Sequence, residues 1–313
     1  MIPTLTELPS YTNIHALGKP ELASLFSHPV VVQEKVDGSQ ISFGVIDGEL
    51  MIRSKGKSQY PDTDKMFAKA VAEIEARKGF LAPGVVYRGE YLEKPKHNVL
   101  AYDRVPDAHI ALFDIYKLGL YTGHESHSNV ELEANRLGFG CVPMLHDWYT
   151  PADNGALQAD VAVWLERESF LGGQKIEGVV FKNYQERNPH APPSSGHFLA
   201  GKYVSEDFKE VHKEHWKTPG ADFVRSLGEG LRTKARFWKA IQHLREQGAL
   251  ENSPRDIGPL MQEVSRDIEE EEGPAIRDAL WSKYRKDILR GATKGFPEWY
   301  REELLTNQLV GAD

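Results

Sequence analysis

The chain of 313 residues holds a single cysteine, Cys141. A lone thiol excludes an intramolecular disulfide and any zinc site built on paired cysteines. Free cysteine is ordinarily a small buried apolar residue, and Cys141 is read that way. Also missing are a secretory apolar segment and any apolar run long enough to span a bilayer. The opening MIPTLTELPSYTNIHALG is mixed and polar, so a soluble cytoplasmic protein with no membrane partner is expected. An excess of positive charge is lacking too: 38 Lys and Arg stand against 46 Asp and Glu, a net charge of −8. Taken whole, that balance argues against a nucleic-acid partner, but placement matters more than the total. Acidic residues crowd 263–272 (EVSRDIEEEE), while lysines recur through 35–57, 94–96 and 175–217. The pattern suits a local basic cleft in an acidic body.

The length allows one large domain or two ordinary ones. Up to about residue 215, β-rich runs of strand length alternate with Gly, Asp and Asn turns: VVVQEKV, SQISFGVI, ELMIRSK, GVVYRGEYL, HIALFDIY, EGVVFKNY and HFLAGKYV. Asp47-Gly48 supplies the positive-φ pair for a tight hairpin between the second and third runs. Helical patterns interrupt at 62–78, 124–137 and 155–169, with Asp62 or Thr63 a suitable N-cap for the first. No regular βαβ alternation is present, which indicates an α+β domain with antiparallel sheets. After about 218 the apolar spacing turns helical at 221–247, 255–272, 274–291 and 297–309, as in Phe237, Ile241 and Leu244. Pro254, Pro274 and Pro297 fall where helices start. A boundary near Thr218-Pro219-Gly220 therefore separates residues 1–218 from a small all-helical domain at 219–313. The stretch 185–196 (QERNPHAPPSSG) reads as an exposed connection.

Chemistry concentrates in five short motifs. Lys35-Val36-Asp37-Gly38, preceded by Glu34, sits between two strand patterns. Arg88-Gly89-Glu90 and Phe113-Asp114-Ile115-Tyr116 each end a strand-like run. Glu177-Gly178-Val179-Val180-Phe181-Lys182 lies much later, and Gly201-Lys202-Tyr203 closes the set. In this order and spacing the chain resembles the covalent nucleotidyltransferase superfamily of polynucleotide ligases and RNA capping enzymes, over about residues 30–205. A lysine amine that attacks the α-phosphorus of a nucleotide must be neutral, whereas free lysine has a pKa near ~10.4. Nearby cations disfavour the ammonium form, and the same cations stabilise charge developing on phosphate.

The resemblance implies a nucleotidyltransferase domain with Lys35 as the nucleophile. Lys182 and Lys202 would contact the α-phosphate and act with it in catalysis. Glu177 would hold a magnesium or manganese ion or its waters, Glu90 would take the ribose, and Phe113 would stack on the purine. The backbone near Glu34 would read the base edge, while Asp37 and Gly38 shape the lysine loop. The family often has a Ser-Arg pair after the lysine motif; here Arg53-Ser54-Lys55 leaves that place to Lys55 or Arg53, which are not interchangeable. Its last motif often carries two lysines one residue apart; here Ala200 takes the first place, with Lys209 or Lys175 as possible substitutes. The donor-rich loop Glu93–Asn98 (EKPKHN) and the basic stretch 232–239 (RTKARFWK) could each meet phosphate or be solvated surface, and His97 is not needed as a base.

The helical pattern after 218 lacks the five strands of the OB barrel that DNA ligases and capping enzymes append. The chain is similar instead to RNA ligases of the phage RNA ligase 2 type, as is its lead-in Tyr11-Thr12-Asn13-Ile14-His15. The resemblance thus implies an ATP-dependent RNA ligase acting on RNA or a nicked duplex in RNA repair; a monomer is expected, though the sequence does not fix the oligomeric state. A DNA ligase, a GTP-using capping guanylyltransferase and a non-catalytic nucleic-acid binder of the same shape are the alternatives.

Overall fold

A computed structural model of the chain describes residues 8, 9, 11, 14–118, 127–188, 198–205 and 223–310. The first strand, β1, is the two-residue His15–Ala16. Strands β2 (Val30–Lys35), β3 (Ser39–Ile46), β4 (Glu49–Ser54), β5 (Val85–Tyr91) and β6 (Ile110–Lys117) follow, then β7 (Gly140–Cys141), β8 (Met144–Tyr149), β9 (Gly178–Arg187) and β10 (Phe198–Val204). They form two five-stranded sheets, in the orders β1-β10-β9-β2-β8 and β4-β3-β5-β6-β7. Most pairings are antiparallel, as expected; β1 with β10 and β6 with β7 are parallel. The fold class is α+β.

The expected hairpin is present: Asp47 and Gly48 have φ of 51° and 85° and join β3 to β4, with Ile46 opposite Glu49. The seven β-rich runs all form strands; the two-residue β1 and β7 and the longer β8 are additions. Of these, β8 is the one of ordinary strand length. It reads poorly as a strand because its outer residues are His146, Asp147 and Trp148, all at a solvent-facing sheet edge.

Helices α1 (Ala68–Glu75) and α2 (His127–Leu137) cover the outer face of the second sheet, and α3 (Asn154–Leu165) that of the first. The core under the second sheet is built from Phe43, Phe67, Ile74, Tyr87, Leu112 and Phe139. Under the first sheet Val30, Val32, Trp164, Val179, Phe181 and Leu199 pack together. Asp153 caps α3, accepting from Ala156 N at 2.8 Å. The expected cap at Asp62 or Thr63 does not form. A 3₁₀ turn at Lys65–Phe67 precedes α1, so the helix is shorter than its pattern, and Thr63 instead donates to Gln59 O.

Beyond residue 222 come α4 (Phe223–Leu231), α5 (Lys234–Glu246), α6 (Ile257–Ala292) and α7 (Phe296–Val310). The expected helix over 221–247 is divided in two, because Thr233 leaves helical geometry and caps α5. The buried stripe of α5 runs through Arg236, Ala240 and Leu244, while Phe237 lies outside it, exposed. The two helices expected either side of Pro274 are one, with that proline inside α6. Proline costs a backbone hydrogen bond there, which strong helix formers on both flanks offset.

By internal contacts the chain divides into two compact units, one of residues 1–210 with 233–260, the other of 211–232 with 261–313. The expected boundary at Thr218-Pro219-Gly220 lies outside the described residues, and α5 packs with the first unit. No helix among the described residues is long and apolar enough to cross a membrane.

Candidate active site

Strand alternation decides which side chains can meet. On β2, Val30 and Val32 point into the core beneath α3, so Val31, Gln33 and Lys35 point the other way. Residues paired across an antiparallel ladder share a face. Lys35 pairs with Gly178, Val31 with Lys182, Lys182 with Ala200 and Val180 with Lys202. Lys35, Lys182, Lys202 and Ala200 therefore stand on one face of one sheet, with Ala200 directly beside Lys182. Glu34 falls on the opposite face. Its buried carboxylate accepts from Ser169 Oγ at 2.5 Å and Phe170 N at 3.2 Å, and burial pushes it up to about 7.

The second sheet presents Arg88, Glu90 and Asp114 toward this face, because Tyr87, Tyr91, Leu112 and Ile115 point outward into the core beneath α1 and α2. Leu112 and Ile115 both lie in that core although they are three positions apart. The ladder slips between Arg88 and Gly89, so Phe113 is an inserted residue on β6. A bulge of this kind re-aims side chains, and here it turns Phe113 and Asp114 together toward the space between the sheets.

Lys35 Nζ lies 2.5 Å from Glu177 Oε2, in the loop residue just before β9. Burial pulls the Lys35 amine down, but Glu177, Asp37 and Glu90 outweigh it and hold the pKa above that of free lysine. The expected depression by neighbouring lysines is thus outweighed by these carboxylates. Lys182 is fully committed elsewhere, donating to Phe113 O at 2.9 Å and to Asp114 Oδ2 at 3.0 Å, with 2% of either charged side chain exposed. Burial lowers its pKa against the pull of Asp114. Removing one partner of such a buried pair costs about 3–5 kcal/mol. Tyr184 Oη donates to Asp114 at 2.7 Å and Tyr11 Oη at 3.3 Å. The Tyr11 ring packs against Phe113, and the Arg88 guanidinium lies 4.6 Å from its centre. Thr12 and Asn13 of the lead-in lie outside the described residues. Burial raises the Glu177 pKa against the pull of Lys35 and, more weakly, of Lys202, which is half-buried on its strand.

The lysine loop is held from several sides. Asp37 accepts from Val99 N at 2.8 Å and Leu100 N at 2.7 Å, and its own N–H donates to Tyr102 Oη at 2.9 Å. Gly38 N–H donates to Glu90 Oε1 at 3.2 Å. A Cβ at Gly38 would stand 2.7 Å from Tyr91 O, and one at Gly178 2.2 Å from Tyr203 O, so both motif glycines permit close backbone approach. Tyr102 and Ser169 make their contacts across large sequence separations and have no motif of their own.

Other expected residues stand apart. Arg53 is buried and donates through Nη1 to Leu8 O at 2.5 Å. Lys55 is exposed, near Glu246. Lys175 pairs with Glu166 at the surface, and Lys209 lies outside the described residues. In the Glu93–Asn98 loop, Lys94 and Lys96 are exposed while His97 and Asn98 are buried. Cys141 is half-buried, and burial pushes its thiol up to about 12. Among the described residues no group of three or more His, Cys, Asp and Glu is arranged to hold a metal.

Two consequences are measurable. Glu177→Gln removes the largest charge holding the Lys35 amine up, so Lys35 should titrate at lower pH. The pH dependence of its reaction with an acylating reagent should shift to lower pH, and an unmoved profile would contradict the ion pair. Glu90 is pushed up from 4.5 to about 8, first by burial, then by Glu246, Asp37 and Glu177 against Lys35. Its folded-state pKa lies above the unfolded one, so the associated stability is present below about pH 4.5 and lost as pH rises toward 8. The Tm of the wild type should therefore fall relative to Glu90→Gln between pH 5 and 9; parallel curves would contradict this.

Residues 28–204, more than half of the chain, match the family model described as RNA ligase. No curated protein matches. Among solved structures, a point mutant of the Naegleria gruberi RNA ligase with ATP and Mn is 19% identical, covering 67% of this chain and 63% of that one, with a TM-score of 0.47. A putative ATP-dependent DNA ligase from Aquifex aeolicus is 17% identical, covering 88% of this chain and 68% of that one, with a TM-score of 0.44. This chain thus spans less than two thirds of the length of the Naegleria ligase. With its two facing sheets and the matched family region over 28–204, the chain belongs to the RNA ligase family.

Proposed function

We propose that the protein is an ATP-dependent RNA ligase that joins 5′-phosphate and 3′-hydroxyl ends through AMP carried on Lys35. The observation that carries this reading is the placement of Lys35, Lys182 and Lys202 on one sheet face, with Glu177 at the Lys35 amine. In the first step the neutral Lys35 amine attacks the α-phosphorus of ATP; the P–N bond forms as the bond to pyrophosphate breaks. A 5′-phosphate oxygen then attacks the same phosphorus, and Lys35 leaves, regaining its proton. In the third step the 3′-hydroxyl attacks the activated 5′-phosphate, and AMP departs. Transfers of this kind depend chiefly on positioning and on neutralising charge.

The Lys35–Glu177 pair sets the first requirement, because an ammonium in that contact is no nucleophile. Glu177 must be drawn away from the amine, or accept its proton, before attack. A magnesium or manganese ion suits the donor set, since such ions take one or two carboxylates together with substrate phosphates. Glu177 would be its protein ligand, and the ion would supply charge neutralisation at the phosphates. Phe113 would stack on the purine and Glu90 would accept from the ribose. Lys202 would meet the α-phosphate, and Lys182 would do so once it shares Asp114.

Beyond residue 204 the described residues contain helices and no strand, which favours the RNA ligase reading over relatives that append a barrel. Incubation with magnesium and α-labelled ATP should label the protein, GTP should not, and Lys35→Ala should abolish the label. Label surviving that substitution would remove Lys35 from its role. A nick with RNA on the 3′-hydroxyl side should be sealed faster than an all-DNA nick. Equal rates would point to a DNA ligase.

A further inference from the structure

Helix α5 lies outside the matched family region, yet it packs with the unit that contains Lys35. Gln242 Nε2, on that helix, donates to the carbonyl of Gly38 at 2.7 Å. Asn98 Nδ2 donates to the same oxygen at 2.8 Å. With its N–H on Glu90, residue Gly38 is held through both of its backbone polar groups, three residues from Lys35. Gln242 Nε2 also donates to Glu246 Oε1 at 2.8 Å, so both amide hydrogens are used.

Glu246 closes a second connection. Glu93 N–H donates to His97 Nδ1 at 3.0 Å, which leaves the ring hydrogen of the neutral tautomer on Nε2. His97 Nε2 lies 3.0 Å from Ser39 Oγ. Ser39 therefore accepts from His97, and its own hydrogen goes to the Glu246 carboxylate. The donor-rich loop 93–98 and helix α5 thus grip residues Gly38 and Ser39 together, through side chains that are buried or half-buried at this point.

We propose that α5 is part of the adenylylation site and that Gln242 is a positioning residue, which sets the aim of Lys35 by holding the Gly38 carbonyl. The proposal rests on the reading of Lys35 as the nucleophile. An amine displaced by about 1 Å loses up to about a hundred-fold in rate, so a shift of this loop acts on the chemical step without removing any ATP contact. Gln242→Glu preserves the shape but removes both donors and sets a carboxylate against the Gly38 oxygen and Glu246. Gln242→Met removes the donors without adding charge.

The test uses the full chain and two single-turnover assays. The first follows lysyl-AMP formation at varied ATP; the second follows sealing of a pre-adenylylated RNA nick, in which Lys35 is not the nucleophile. Both variants should slow lysyl-AMP formation at saturating ATP about ten- to a hundred-fold. The half-saturating ATP concentration and the sealing of the pre-adenylylated strand should stay within about two-fold of wild type. Unchanged lysyl-AMP formation in both variants would overturn the proposal, as would an equal fall in both assays, the mark of general damage. Absence of lysyl-AMP in the wild type would instead overturn the reading of Lys35 itself.

Discussion

The contact between Lys35 and Glu177 depends on one piece of sheet register, the pairing of Lys35 with Gly178 across β2 and β9. That register brings together residues 142 positions apart in the chain. It also fixes the face on which Lys182 and Lys202 must lie, since a slip of one residue would turn the whole set into the core beneath α3. Gly178 allows the strands to approach, because a Cβ there would collide with the Tyr203 carbonyl. The Lys35 side chain is half-buried among carboxylates, which hold its pKa above that of free lysine. On the reading of Lys35 as the nucleophile, positive charge that competes for Glu177 would free the amine.

The facing sheet supplies the complementary half. Its bulge at Phe113 turns an aromatic ring and a carboxylate the same way, and Asp114 neutralises Lys182 within a shell of tyrosines. One lysine of the face is thus locked by a buried carboxylate, one by an ion pair at the mouth of a loop, and the third is less constrained. The differences follow from surroundings rather than residue type. The lysine loop, which has no ladder of its own at Asp37 and Gly38, is fixed by side chains from elsewhere: Asn98, Tyr102 and Gln242.

Much of this was legible in the sequence. The strands carry β-branched and aromatic residues in runs of the right length, the Asp47-Gly48 turn has the required conformation, and the motif order marks the RNA ligase family. Alternation along VVVQEK is sufficient to put Glu34 and Lys35 on opposite faces. The hydrophobic positions Leu112 and Ile115, three apart, are the local trace of the bulge that re-aims Phe113. Contacts of long sequence separation left no such trace. Nothing near Tyr102, Ser169 or Gln242 announces that their partners are Asp37, Glu34 and Gly38, because a single hydrogen bond imposes no periodicity. Arg236 misleads in the other direction: its charge suggests a solvated face, whereas it lies on the buried stripe of α5. Pro274 marks a break that the surrounding helix formers overcome.

Three lysines on one sheet face are chemically able to carry AMP, and only their surroundings distinguish them. Tandem mass spectrometry of the intact enzyme after reaction with ATP and magnesium would identify the residue that bears it. AMP is expected on Lys35 as an acid-labile phosphoramidate. AMP on Lys182 or Lys202, or on no lysine of this face, would contradict the assignment of the nucleophile.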